Sequence, residues 1–136
     1  MRVLVVDGDT SNRDELCQRM RPYAITVDTA NDGQQAVRCV EDAARCGHAY
    51  DLVTVAVHLP DGDGRIVVQH LRQMETGAGA QNMPLRIIAV DTDSPIDTII
   101  DCLECGCDCY VTIPFAEEEL LRHLRHMRLW EAEAEA

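Results

Sequence analysis

The sequence predicts an α/β domain: a doubly wound, five-stranded parallel sheet with five helices on its two faces, in three layers. Three observations lead there. Five short runs with apolar or β-branched residues, three of them rich in Val, Ile and Leu, show no helical spacing. Each run breaks into a stretch rich in Asp, Asn, Gly, Ser or Pro, after which apolar residues recur at helical spacing. Strands that alternate with helices are joined by right-handed crossovers, which makes the sheet parallel.

Val3 to Val6 is apolar and β-branched, and reads as the first strand; it ends at Asp7-Gly8-Asp9. Thr10 or Ser11 is placed to cap a helix through about Arg21, with Leu16, Cys17 and Met20 inward and Pro22 beyond its end. Ala24 to Thr29 is the second strand. Asn31-Asp32-Gly33 turns and caps a helix carrying Ala36, Val37, Val40 and Ala44, which ends near Gly47. Leu52 to Val57 is the third strand, followed by a loop of Pro, Asp and Gly. Val67, Val68, Leu71 and Met74 mark a third helix over 65–75, and Thr76 to Pro84 reads as a loop of small and polar residues. Arg86 to Val90 is strand four. After Ser94-Pro95, a capping and first-turn pair, Ile96, Ile99, Ile100 and Leu103 fall at helical spacing. Cys109 to Thr112 is the last strand, and Phe115, Leu120, Leu121, Leu124 and Met127 line the last helix. Residues 1–130 thus read as one domain, and the acidic Glu-Ala tail over 131–136 as a disordered, solvated end.

Composition narrows the function. With 136 residues and 46% hydrophobic side chains, one domain can bury a real core. No run is long enough to cross a membrane, and the N-terminal apolar run meets Asp7 too early for a secretion signal, so the expectation is a soluble, cytoplasmic protein. A net charge of −12 argues against sequence-independent binding to nucleic acid, and neither nucleic acid nor membrane is expected as a partner. All twelve basic residues are Arg, and there is no Lys. Seven Cys, an odd number without a secretion signal, read as reduced thiols. Nothing after Trp130 has the pattern of a DNA-binding helix pair, so output is expected from the domain's own surface.

In open α/β sheets chemistry collects outside the carboxyl ends of the strands. The residue of strand three expected to point into that crevice is Ala56, which has no chemistry to offer. No nucleophile–base set and no Gly-rich phosphate loop appears, so the expectation is a protein that is not an enzyme and has no cofactor.

Five stretches, in order and with matching spacing, carry a family resemblance: Val3-Leu4-Val5-Val6-Asp7, Thr29 to Val37, Tyr50-Asp51-Leu52-Val53, Leu59 to Gly64, and Leu103 to Phe115. Along nearly its whole length the chain resembles the receiver domain of two-component response regulators. The resemblance implies a flavodoxin-like (CheY-like) fold with strand order 2-1-3-4-5, and membership of a phosphorelay. Receivers take a phosphoryl group from a histidine kinase onto an aspartate. An acidic pair holds Mg²⁺, a hydroxyl ends strand four, and a lysine follows strand five. The new anion needs those cations beside it.

Carried over by position, the first acid is Asp7 and is kept. The second falls on Gly8, with Asp9 beside it as an imperfect substitute. The phosphoacceptor falls on Ala56, the carbonyl that usually reaches the metal on His58, the hydroxyl on Ala89 and the lysine on Ile113. The resemblance therefore implies a degenerate pseudo-receiver. Ile113 is expected over the vacated space, beside a cis bond to Pro114. Tyr110 matches the switch aromatic, either turned inward and permanently set or simply half-exposed. An engineered Ala56 would leave Ala89 and Ile113 unexplained.

The favoured expectation is a stand-alone, unphosphorylated module that acts by binding signalling proteins, a kinase or an output protein. The face of helix four, strand five and helix five is the expected docking surface and possible homodimer contact, with Asp97, Asp101, Glu104, Arg122 and Arg125 exposed on it. Two rivals stand beside it. One is an atypical phosphoacceptor that uses Asp7 or Asp9. The other is a metal or redox sensor built from Cys102, Cys105, Cys107 and Cys109, residues that also read as small apolar core. Asp61-Gly62-Asp63-Gly64 lacks the distal Glu of a calcium loop and reads as a turn with a helix cap. His58 sits at the crevice mouth and reads as a surface-loop residue.

Overall fold

A computed structural model describes residues 1–77, 85–93 and 95–130. Five parallel strands form one sheet: β1 (Arg2–Val6), β2 (Thr26–Ala30), β3 (Leu52–Ala56), β4 (Arg86–Asp91) and β5 (Cys109–Thr112), in the order β2-β1-β3-β4-β5. The register pairs Val3 with Val27 on one side and with Leu52 on the other, Ala56 with Val90, and Asp91 with Thr112. The order reverses direction beside β1, which leaves a crevice above the carboxyl ends of β1 and β3.

The strands β1, β3 and β4 are apolar almost throughout because both sheet faces are covered there, whereas β2 at the sheet edge carries exposed Asp28 and Thr29. Alternate side chains serve opposite layers. Leu4, Val6, Val53, Val55, Ile87 and Ala89 pack beneath α2 (Gly33–Arg45), α3 (Gly64–Gly77) and α4 (Ile96–Cys105), where they meet Ala36, Val67, Val68, Leu71 and Cys102. Val3, Val5, Leu52, Ile88 and Val90 face α1 (Thr10–Met20) and α5 (Glu117–His126), and meet Leu16, Cys17, Met20, Leu120 and Leu124. Burying one such aliphatic side chain is worth about 1.5–3 kcal/mol, so the two layers hold the crevice on a rigid base.

Several boundaries differ from the sequence reading. The α1 cap is Asp9, whose carboxylate accepts the Asn12 amide at 3.1 Å, rather than Thr10 or Ser11. A short 3₁₀ turn, Arg21–Tyr23, follows α1 and takes up Pro22. The third helix runs on to Gly77, past the start of the expected loop; the rest of that loop, 78–84, lies outside the described residues, as do Ser94 and the 131–136 tail. After β3 the chain forms a two-residue hairpin, His58–Leu59 against Gly62–Asp63, before α3 begins. On α4 the expected apolar face is split: Ile99 is half-buried and Cys102 fully buried, whereas Ile96, Ile100 and Leu103 are exposed.

Candidate functional site

A cleft of about 490 Å³ opens at the carboxyl ends of β1, β3 and β4. Asp7 extends β1 by one residue, where its amide donates to the Ala30 carbonyl at 3.1 Å. Its side chain is only 4% exposed, and Oδ1 accepts the Asp9 amide at 2.9 Å. Arg13 Nη1 donates to the Asp7 carbonyl oxygen at 2.9 Å, so this guanidinium is bound to backbone. Burial pushes the Asp7 carboxyl above the usual range; the Asp9 amide pulls it back, and the charges of Asp9 and Asp91 push it further up.

Gly8 follows with a bare Cα against the Pro60 ring. Asp9 lines the cleft, but its carboxylate is tied to α1 as the N-cap. Ala56 closes the floor, 7% exposed. Gly64 is obligatory beside it, because a Cβ there would fall 2.0 Å from the Ala56 carbonyl oxygen. The His58 ring is 83% exposed, with Nε2 3.7 Å from Asp91 Oδ2.

One positional assignment is corrected. Ala89 does not reach the cleft: it is buried in the core under α3 and α4. β4 runs one residue further than expected, and Asp91, on the same strand face one pleat higher, is the residue at its mouth. Asp91 Oδ1 accepts the Thr92 amide at 2.8 Å. Ile113 lines the opposite wall, half-buried, with its amide donating to the Asp91 carbonyl at 2.8 Å and a cis peptide to Pro114. Tyr110 is half-buried; its hydroxyl donates to the Asp93 carbonyl at 2.7 Å and lies 3.5 Å from Asp91 Oδ2.

The cleft is therefore anionic on one side and aliphatic on the other, and His58 is the one titratable base among its described lining residues. The receiver resemblance implies Mg²⁺ here, and the donor set does not fit it. Magnesium takes carboxylate oxygens in octahedral geometry. Gly8 offers no side chain, Ala56 offers a methyl, and the Asp9 carboxylate caps a helix. Among the described residues no group of three or more His, Cys, Asp or Glu converges on a metal position.

The cysteines divide between layers. Cys102, Cys105 and Cys107 belong to the α2–α3–α4 side and Cys109 to the opposite one, so the four do not converge. The Cys105 thiol donates to the Cys102 carbonyl at 3.2 Å. Burial pushes all four thiols up, Cys102 and Cys109 to about 11, which favours the inert protonated form.

Asp97, Asp101, Glu104, Arg122 and Arg125 are all exposed. Asp101 pairs with Arg65 at 3.1 Å. Sequence reasoning missed the outward set of Ile96, Ile100 and Leu103; the four- and three-residue spacing was visible, but periodicity alone does not say which side of a helix is covered. It also missed the reach of Asp61. That carboxylate accepts the Gly33 amide at 2.9 Å and the Gln34 amide at 3.1 Å, binding the hairpin to the start of α2. Beside it lies a groove of about 640 Å³ between α2 and α3, with Val37, Ile66 and Val67 among its walls.

Comparison with known proteins agrees with this fold. The family model of the response regulator receiver domain matches residues 3–125. The transcriptional regulatory protein AruR of Pseudomonas aeruginosa is 32% identical over 138 residues, covering 99% of this chain and 53% of that protein. The response regulator MprA of Mycobacterium leprae is 34% identical over 125 residues, covering 92% of this chain and 50% of that protein. The chain thus spans about half the length of these curated relatives. Among solved structures, a putative response regulator from Chloroflexus aurantiacus superposes with a TM-score of 0.77 at 23% identity, covering 93% of this chain and 95% of that one. Among the described residues no helix is long and apolar enough to cross a membrane. The chain belongs to the response regulator receiver domain family.

Proposed function

We propose that this receiver domain works by protein contact, through the face of α4, β5 and α5, and takes no phosphoryl group at position 56. The single observation that carries the reading is Ala56 at the end of β3, facing a cleft whose charged groups are carboxylates. A methyl group has no atom to phosphorylate. An acyl phosphate would add about two negative charges beside Asp7, Asp9 and Asp91, with Ile113 across the cleft in place of a cation. Asp7 is a poor substitute acceptor, being buried with one oxygen held by an amide; Asp9 is held by α1. The partner is another signalling protein, a kinase or an output protein. No catalysis is assigned to the domain.

The test is intact mass spectrometry after incubation with acetyl phosphate and Mg²⁺. No mass gain is expected. A stable gain of one phosphoryl group that is lost in Asp7→Asn or Asp9→Asn would overturn the reading and establish an unusual relay.

A further inference from the structure

Helix α4 buries Cys102 completely and turns Ile96, Ile100 and Leu103 outward, at 67%, 46% and 46% exposure. Their spacing places them in one stripe along the helix. Single exposed aliphatics are ordinary, and Ile25 and Ile66 are such cases. Three on one ten-residue helix form a patch, and patches mark interfaces.

The charge around this stripe has one sign. Asp97, Asp101 and Glu104 are exposed on α4, and the helix IDTIIDCLEC contains no basic residue. Arg65, already held by Asp63, also pairs with Asp101 at 3.1 Å; among the described residues Asp97 and Glu104 form no ion pair. Arg65 ties Asp101 of the helix to the hairpin at 3.1 Å, and the Cys107 amide closes the helix's own last turn on the Cys102 carbonyl at 3.1 Å. A preformed surface loses little freedom on binding.

We infer that α4 docks a basic amphipathic helix of a partner protein, with aliphatic residues against Ile96, Ile100 and Leu103 and Lys or Arg against Asp97 and Glu104. The inference rests on the contact reading above and names the chemistry of that contact. Helix-on-helix packing suits a stripe of this spacing. Anionic membrane fits badly, because the acids flank the apolar residues where a membrane-surface helix carries Lys and Arg. A second copy laid α4 to α4 would set Asp97, Asp101 and Glu104 against themselves, which is unfavourable, whereas a second copy that lays α5, with Arg122 and Arg125, on α4 is the outcome that the sedimentation measurement below detects.

The test uses the full chain and a labelled synthetic helix of about 18 residues, long enough to hold helical structure on a surface. It carries Leu along one face and Lys along both flanks; a twin carries Glu for every Lys. Fluorescence anisotropy is expected to show the Lys helix binding at least about tenfold tighter than its twin, a difference that salt reduces. Ile100→Ala should weaken it by about fivefold or more, and the double variant Asp97→Lys, Glu104→Lys should reverse the preference. Circular dichroism melts establish that these exposed substitutions leave the fold intact. Equal binding of the two helices, an unchanged affinity in Ile100→Ala, capture by phosphatidylserine vesicles, or a homodimer in sedimentation that Ile100→Ala dissolves would each overturn the inference. A phosphoryl adduct in the mass measurement would overturn the contact-only reading while the helix result stands; failure of the helix with no adduct would overturn this inference alone.

Discussion

Pro60 lies directly on Gly8: its Cγ and Cδ are each 2.5 Å from where a Cβ at position 8 would stand. The carbonyl of Asn31 closes the space from another side at 3.3 Å. A pyrrolidine ring cannot swing away like the end of a flexible chain. The absent acid and the seated proline are two sides of one packing arrangement.

Gly8→Asp is therefore expected to destabilise the domain by about 1–3 kcal/mol, the range of an overpacked site. Urea unfolding measures it. The same variant should show no Mg²⁺ binding by calorimetry, because the loop carrying Pro60 has to move before a second carboxylate can enter the cleft.

Ala56→Asp restores one acceptor and none of the cations. With acetyl phosphate and Mg²⁺ its mass should stay unchanged. The double variant with Ile113→Lys adds the missing ammonium without the clash at position 8, and is the form in which an adduct is first expected. A stable adduct on Ala56→Asp alone would show that the neighbouring groups are dispensable.

Asp7 has a folded-state pKa raised above 3.8, chiefly by burial. Its ionisation therefore opposes folding at all pH values above that raised pKa. The opposition fades as pH falls through the folded-state value and is gone below 3.8, where both states are protonated. Asp7→Asn keeps an oxygen for the Asp9 amide and removes the charge. It should be more stable than the parent at neutral pH, with the difference closing on acidification. Urea midpoints across pH read this directly.

Asp61 behaves in the opposite sense. The amide of Gly33, and then that of Gln34, hold its carboxyl below 3.8. Its contribution is full above 3.8 and is lost as pH falls through the lower folded-state value. Asp61→Ala leaves two helix amides to water and should cost about 1 kcal/mol, as other lost N-terminal partners do. Amide exchange at Gly33 and Gln34 should accelerate with it.

Thr54 is 1% exposed, and its Oγ1 has no hydrogen-bond partner. Thr54→Val removes that buried hydroxyl at nearly constant shape. A gain of about 1 kcal/mol is expected, seen as a higher urea midpoint with an unchanged slope.

The middle of the sheet was legible because β1, β3 and β4 are covered on both faces and so read as nearly unbroken apolar runs. Ala56 was legible for the same reason: an apolar run that stops at a polar loop announces its own end. Asp91 was not. Aspartate is depleted in strands, so the run looked finished at Val90, and the cleft residue was sought one pleat too low. The exposure of Ile96, Ile100 and Leu103 was equally hidden, since a helix with apolar residues around most of its girth can lie on the sheet in more than one rotation. Cys102 and the half-buried Ile99 determine which rotation wins. The grip of Asp61 on α2 spans 28 residues of chain, a distance over which local spacing carries no information.

Arg65 holds Asp63 at 2.6 Å and Asp101 at 3.1 Å, so one guanidinium braces the hairpin beside the crevice against α4. A neutral side chain there would leave two anions facing each other across the gap. In mechanical terms the domain wears its own splint: the pitch of its greasy, acidic helix is braced by a residue at the start of α3.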